Sequence, residues 1–343
     1  MLKKLMIVFL VLAPFMVFAN PGIQTIKFES KALNETRDVM IRLPENYAED
    51  TLKRYPVLVT LNDGDNFQWA SDIVDIQSSR FGIEDMIVVG LPHNGNYRND
   101  NFPYQDGESL ALNPQAQKYS QFIREEALTY IEANYRTNGG RFIIGHSLSG
   151  LFVLKLFMQH PQSFSSFIVL SPSAQYAPQM SNELTAFFRQ QKDLDSHLFL
   201  AIGEVEHSLI QKGFSSISQV FEENAPANLS WKLSYLDDTD HLLSAYKGTY
   251  DGLAWLYKDW YISESKMREY SVEDYISHYQ LLSGKLNYDI KPRERHLIGF
   301  SWFAANRLND LNAAITAVEA GIHFYPASVA LKERLMELNN SKD

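Results

Sequence analysis

The sequence predicts an α/β fold with a mostly parallel central sheet flanked by helices, and three observations lead to this prediction. A hairpin pattern comes first, short and nearly all-apolar runs follow it, and segments of helical periodicity separate those runs. Strands that are covered by helices on both faces are apolar along most of their length. Regular alternation of strand and helix is typical of folds in which helices cover one sheet.

Each element follows from a local pattern. Residues 24–30 and 36–43 alternate apolar and polar side chains around a turn-like segment, which predicts an antiparallel hairpin. The apolar runs predict further strands at 56–61, 86–91, 141–145, 167–170, 197–202 and 229–236. The periodic segments predict helices at 67–79, 117–135, 148–159, 182–192, 209–222 and 241–261.

One long segment interrupts this alternation. Residues 92–114 are rich in Asn, Gly, Pro and Asp, with aromatic residues between them. A loop of this length in a compact domain usually has a function. Because it follows the C-terminal end of a predicted strand, we expect it to form a wall of a binding crevice.

The C-terminal part of the chain contains no predicted strand. From residue 266 to residue 343 the pattern predicts a small, all-helical tail, with helices at 272–283, 293–306, 311–324 and 328–338. The spacing of Ala314, Gly321 and Pro326 resembles one degenerate tetratricopeptide repeat. A single repeat cannot bury its own apolar face, so we expect the tail to pack on the preceding domain at 20–265.

The N-terminus has the layout of a secretory signal peptide. Residues 1–19 contain a basic start at Lys3 and Lys4, an apolar run and a small residue at the end. This layout predicts cleavage after Ala19 and export to a periplasm or to the medium. The apolar run of about 14 residues is shorter than the roughly 20 that a membrane span requires, so we expect no span in the mature protein.

Composition excludes several classes of function. The chain has 31 basic and 41 acidic residues, and loss of residues 1–19 with their two lysines leaves a net charge of −12. Nucleic-acid binding requires a basic surface, so it is not expected. The absence of Cys removes disulfides, thiolate catalysis and zinc–thiolate sites.

Ser147 lies in the most informative segment, which reads Gly145-His-Ser-Leu-Ser149 between a predicted strand and a predicted helix. A sharp strand–helix turn presents a serine hydroxyl free of its neighbours, and small residues two positions away on both sides let strand and helix approach. We therefore predict that Ser147 is a nucleophile and that the His146 side chain points away from it. The alternative is an ordinary serine in a strand–helix turn.

A nucleophilic serine needs a base and an orienting acid, which follow it in the order acid, then His, in this kind of fold. Of nine histidines, His241 stands where a loop meets a helix after the last predicted strand. We predict it as the base, and a capping or solvated histidine is the alternative. In the loop after the strand at 197–202, the spacing from Gly203 favours Glu206 as the acid, with Glu204 as the second choice.

Two backbone donors are expected to stabilise the oxyanion that forms when Ser147 attacks a carbonyl. One is the N–H of Leu148, the residue after the nucleophile. The other is expected in the turn at 62–65, after the strand at 56–61.

These residues lie in segments that, together with several others, are similar to segments of a known family. Over residues 24–262 the chain resembles the esterase family of α/β-hydrolases that includes enterochelin esterases, esterase D, feruloyl esterases and mycolyltransferases. The matches are the Leu-Pro-x-x-Tyr end of 38–47, the turn at 61–64, the Tyr-Arg-Thr end of 122–137, the elbow at 145–150, the Ser-Pro-Ser end of 164–173, and His241 with 250–253.

The resemblance implies further site residues. It selects the N–H of Asp65 as the second oxyanion donor. It also implies three substrate-binding residues, Arg98, Ser171 and Ser173. Arg98 begins a segment that is similar to one in siderophore esterases. Members of the family use no metal and no organic cofactor for this chemistry, so none is expected here.

Residues and resemblance together predict an exported serine hydrolase that cleaves carboxylic esters through an acyl-Ser147 intermediate. The substrate would be an iron-siderophore trilactone or another small ester, such as a feruloyl or acetyl ester. An acyltransferase or a peptidase could use the same three residues. The rival hypothesis is a catalytically silent scaffold that binds a protein partner through its helical tail.

Overall fold

The computed structural model describes residues 22–61, 64–80, 82–105, 113–191 and 193–340. The predicted signal peptide lies outside these ranges, so its cleavage stays a prediction. In the part of the chain that is described, no helix combines the length and the apolar character that a bilayer crossing demands.

Eight strands form one sheet in the order β1-β2-β4-β3-β5-β6-β7-β8. The strands are β1 (Ile23–Ser30), β2 (Glu35–Arg42), β3 (Tyr55–Thr60), β4 (Ile87–Gly90), β5 (Thr137–His146), β6 (Ser166–Leu170), β7 (His197–Val205) and β8 (Ser230–Asp240). The β1–β2 and β2–β4 pairs are antiparallel, and all pairs from β4 to β8 are parallel. The predicted hairpin and the mostly parallel sheet are confirmed.

Helices cover both faces of this sheet. They are α1 (Gly64–Ser79), α2 (Tyr97–Asn101), α3 (Pro114–Gln121), α4 (Leu128–Asn134), α5 (Leu148–Gln159), α6 (Met180–Gln190), α7 (Ser208–Asn224) and α8 (His241–Leu256). Helices α3 to α7 contribute to the core on one face, and α1 and α8 contribute to the core on the other. The helix predicted at 117–135 is confirmed, and a π-helical turn at Phe122–Ala127 joins α3 to α4 without a break.

The long loop is more ordered than its composition indicates. It contains the short helix α2, and residues 106–112 lie outside the described ranges. Asp100 of α2 is fully buried and accepts hydrogen bonds from Arg37 of β2 at 2.8 and 3.1 Å. Burial alone would raise the pKa of Asp100, but hydrogen bonds from His93 and Arg37 lower it below its usual value. This ion pair therefore anchors α2 to the sheet.

Five more helices follow the sheet: α9 (Glu264–Glu269), α10 (Val272–Leu286), α11 (Glu294–Arg307), α12 (Leu311–Phe324) and α13 (Val329–Asn340). Their apolar residues belong to the same core cluster as α1 and α8. Between α10 and α11, the Tyr288 hydroxyl donates to Glu84 at 2.8 Å and lies 2.5 Å from the Tyr257 hydroxyl. Burial raises the pKa of Glu84 to about 7. The tail is therefore packed on the sheet domain; its likeness to a tetratricopeptide repeat stays a prediction.

Candidate active site

Ser147 lies at the turn from β5 to α5, with φ of 62° and ψ of −121°. A positive φ is strained for a residue with a side chain, and such strain is common where a nucleophile is presented. The turn is so tight that a Cβ on Gly145 would lie 2.2 Å from the Ser149 carbonyl oxygen. Ser149 is fully buried, and its hydroxyl accepts from the His146 N–H and donates to the His146 carbonyl oxygen. Small residues are needed on both sides of Ser147 for these reasons.

His241 is the first residue of α8, directly after β8, and its side chain is 31% exposed. Its Nε2 lies 3.1 Å from Ser147 Oγ. Strands β5 and β8 are separated by two parallel strands, so only the shared carboxyl edge of the sheet brings these residues together. The two side chains are within hydrogen-bond distance.

Glu206 follows β7 and lies on the other side of the His241 ring. Its Oε2 is 2.7 Å from His241 Nδ1, and its side chain is 1% exposed. The other oxygen, Oε1, accepts the His207 N–H at 2.9 Å. The second choice, Glu204, is exposed and accepts the Asp238 N–H at 3.1 Å. The structure therefore brings Glu206 to His241 and directs Glu204 elsewhere.

The two predicted oxyanion donors lie in the first turns of neighbouring helices. Leu148 begins α5, and Asp65 is the second residue of α1, which follows β3. Backbone N–H groups in a first helical turn have no partner within the helix and are available to an anion. Strands β3 and β5 are adjacent and parallel, so both helices start at the same edge of the sheet.

A hollow of about 230 Å³ opens at this edge. Asp65 and Trp69 of α1, Tyr97 of α2, His146, and Leu242 of α8 are among the residues that line it. The long loop therefore contributes to a wall of the crevice through Tyr97, as its position after β4 predicts. Trp69 was not predicted, and Tyr97 was predicted only as one of the aromatic residues of the loop; both are half-buried. Their positions soon after predicted strand ends were the available signal.

The His146 side chain, predicted to point away from Ser147, lies beside His241. Its ring centre lies 4.6 Å from that of His241, and its Nε2 is 2.7 Å from the His241 carbonyl oxygen. Burial, together with the nearby His241, lowers the pKa of His146 to about 4. A neutral His146 ring therefore packs against the ring of His241.

The three predicted substrate residues differ in position. Arg98 is exposed, and its guanidinium carbon lies 4.8 Å from the centre of the Phe102 ring and 5.7 Å from that of Tyr176. Ser173 Oγ is 3.0 Å from Ser147 Oγ. Ser171 has no exposed surface, so its prediction as a substrate contact is wrong. Among the residues that are described, no group of three His, Cys, Asp or Glu could hold a metal ion.

Comparison with known proteins shows the family of this chain. The "Putative esterase" family model matches residues 30–232, more than half of the chain. The uncharacterised protein YjcH of Bacillus subtilis is 28% identical over 159 residues, which cover 45% of this chain and only 62% of YjcH. Ferri-bacillibactin esterase BesA of Bacillus subtilis is 26% identical over 211 residues, 55% of this chain and 72% of BesA.

The fold agrees as well. An IroE-like serine hydrolase from Shewanella oneidensis superimposes with a TM-score of 0.76 at 24% identity, covering 88% of this chain and all of the other. The fold is thus that of an α/β-hydrolase, and the predicted esterase resemblance is confirmed. The chain therefore belongs to the putative esterase family.

Proposed function

We propose that the mature protein is an exported serine esterase that uses Ser147, His241 and Glu206 as a catalytic triad. The observation that carries the proposal is the continuous hydrogen-bond chain from Glu206 through His241 to Ser147, at 2.7 and 3.1 Å. The buried Glu206 carboxylate accepts the Nδ1–H of His241. This leaves Nε2 free to accept the Ser147 proton.

The reaction then proceeds in two halves. Ser147 Oγ attacks the ester carbonyl while His241 takes its proton, and the tetrahedral oxyanion accepts bonds from the N–H groups of Leu148 and Asp65. The intermediate collapses, the carbon–oxygen bond to the alcohol breaks, and His241 gives that alcohol the proton. Water, deprotonated by His241, releases the acid from Ser147 by the same steps. The protein's own groups supply every proton transfer.

The substrate that we propose is an ester-linked iron siderophore. Similarity to a ferri-bacillibactin esterase supports it, and the signal-peptide pattern of residues 1–19 would place the enzyme where such a compound is encountered. Arg98, exposed beside Tyr176, offers a cation to an anionic ligand near Ser173.

The test is hydrolysis of a siderophore trilactone, with and without iron, by residues 20–343 and by Ser147→Ala, followed by mass spectrometry. We expect ring opening by the unaltered enzyme only. Turnover of p-nitrophenyl butyrate without any trilactone opening would contradict the siderophore assignment and leave a smaller ester as substrate.

A further inference from the structure

The Ser171-Pro172-Ser173 turn follows β6, and it contacts the nucleophile through Ser173 and helix α8 through Ser171. Its two serines are 0% and 3% exposed, and both hydroxyls are hydrogen-bonded to residues of the site or beneath it. We propose that this turn holds the Ser147 hydroxyl and the start of α8 in register for catalysis. The proposal rests on the triad mechanism above.

The Ser173 hydroxyl contacts the nucleophile directly, with its Oγ 3.0 Å from Ser147 Oγ. The direction of this bond follows from the rest of the triad. Because Glu206 accepts the Nδ1–H of His241, Nε2 is an acceptor and receives the Ser147 proton. Ser147 Oγ then has only lone pairs left, so Ser173 must be the donor. The Ser173 N–H also donates to the Ser147 carbonyl oxygen at 3.1 Å.

Ser171 reaches the base indirectly. Its hydroxyl donates to Ser244 Oγ at 2.8 Å, and the Ser244 hydroxyl donates to the His241 carbonyl oxygen at 2.7 Å. The same carbonyl oxygen lies 2.7 Å from Nε2 of His146 and accepts a hydrogen bond from it. Ser171 has a φ of 37°, a strained value that its surroundings must enforce. One such restraint is the bond from its N–H to the Ala201 carbonyl oxygen, at 2.7 Å.

One short turn thus restrains both partners of the 3.1 Å bond through which the proton moves. Loss of the Ser173 hydroxyl would free the Ser147 side chain to rotate, and loss of the Ser171 hydroxyl would loosen the first residue of α8. Both changes act on the orientation of reacting groups. They should therefore lower kcat and leave KM nearly unchanged, whereas loss of a substrate contact made equally in ground and transition states raises KM.

The variants are Ser173→Ala, Ser173→Thr, Ser171→Ala and Ser244→Ala, with Ser166→Ala as the matched control. Ser166 is a fully buried serine on β6, the strand that precedes the turn, and its hydroxyl has no hydrogen-bond partner. The measurements are kcat, KM and the acylation burst with p-nitrophenyl acetate, and the rate at which a fluorophosphonate labels Ser147, which requires an activated serine and no natural ester.

We expect Ser173→Ala to slow both the acylation burst and the labelling about 10-fold, which is the usual effect of one lost hydrogen bond. Ser173→Thr keeps the hydroxyl and should restore most of the rate, and Ser166→Ala should match the unaltered enzyme. Since Ser171 acts through Ser244, the double variant Ser171→Ala/Ser244→Ala should be no slower than Ser244→Ala alone. If Ser173→Ala does not fold, Ser173→Cys, a weaker donor of similar size, takes its place.

Ser173→Ala with unaltered acylation and labelling rates would overturn the proposal, and so would an effect on KM alone. Failure of the proposed function has a different signature. If no ester is turned over but Ser147 is still labelled, and more slowly in Ser173→Ala, the esterase assignment of this site fails and the role of the turn stands. Absence of both turnover and labelling would overturn both.

Discussion

At the scale of single residues, two neighbouring carboxylates have opposite environments. Glu206 is almost completely buried against His241, whereas Glu204 is exposed and bonded to a backbone N–H. The pairing of β7 with β8 shifts register between Gly203 and Val205, just where these residues leave the strand. Between these pairs β7 advances two residues and β8 advances four, so the extra residues lie on β8 and carry no apolar pattern that predicts the shift.

This contrast gives a direct prediction for Glu206→Gln. An amide at this position would favour the wrong tautomer of His241, so we expect kcat to fall by about 10³ to 10⁴. Glu204→Gln is the matched control and should retain full activity. Steady-state kinetics on a p-nitrophenyl ester measures both variants, and equal losses in the two would show that the acid is misassigned.

The direction in which a side chain points could not be predicted from the sequence at every site residue. The strand–helix turn pattern and the chain order pointed to Ser147 and His241, which the structure brings within hydrogen-bond distance. The same reasoning misplaced Ser171, which is fully buried, and did not predict that His146 packs against His241. Whether a residue beside a turn faces the site or lies beneath it depends on packing against α8, an element nearly a hundred residues away in sequence.

At the scale of elements, the proposed base, His241, is positioned by the N-terminal end of a helix. His241 is the first residue of α8, and the Asp240 side chain caps the helix by accepting the Leu243 N–H at 2.8 Å. The cap fixes where the helix begins. It therefore also fixes where the imidazole of His241 is placed.

We predict that Asp240→Ala costs about 1 kcal/mol of unfolding free energy and lowers kcat about 10-fold as His241 loses its fixed orientation. Asp310→Ala is the control, because Asp310 caps α12 in the same way, by accepting the Ala313 N–H at 2.9 Å. The free energy of unfolding, from denaturant titration, and kcat are measured for Asp240→Ala and for Asp310→Ala. An equal loss of kcat in the control would contradict the role of the α8 cap.

Most elements could be predicted from the sequence because burial leaves a clear pattern. The apolar runs located the core of every strand from β3 to β8, but β8 continues four residues beyond its predicted end, to Asp240. That end is partly exposed and pairs with β7, so its residues carry no apolar signal. Helix α2 was missed because its order comes from the buried pair Arg37–Asp100, which is remote in sequence.

At the scale of the whole molecule, the tail and the sheet domain share one core. Val272, Tyr279 and Leu297 of the tail are buried in the same cluster as Phe142 and Trp260. Apolar surface that is covered in this way is not available to a partner, so the structure gives no support to the scaffold hypothesis. The sequence predicted that the tail must pack but not against which face.

Buried neutral histidines predict how stability depends on pH. Burial lowers the pKa of His146, His197 and His296 from 6.5 to about 4. In the unfolded chain these histidines bind protons near pH 6.5, whereas in the folded chain they bind them only near pH 4. Stability is therefore complete above about pH 6.5 and is lost as the pH falls toward 4, by up to about 3 kcal/mol for each histidine.

His197→Phe should reduce this pH dependence, since it removes one of the three groups. Unfolding free energy is measured by denaturant titration between pH 7 and pH 4.5. The exposed His323 provides the control, because His323→Gln should leave the dependence unchanged. A dependence as steep in His197→Phe as in the unaltered protein would contradict the prediction.

We propose that Ser147, activated by His241, is the nucleophile of this enzyme. Hydrolysis of p-nitrophenyl butyrate by residues 20–343, beside Ser147→Ala and His241→Ala, tests it most directly. We expect clear turnover by the unaltered enzyme and a fall of about 10³ or more in kcat for each variant, since both remove part of one catalytic unit. Turnover that persists in Ser147→Ala would contradict the account.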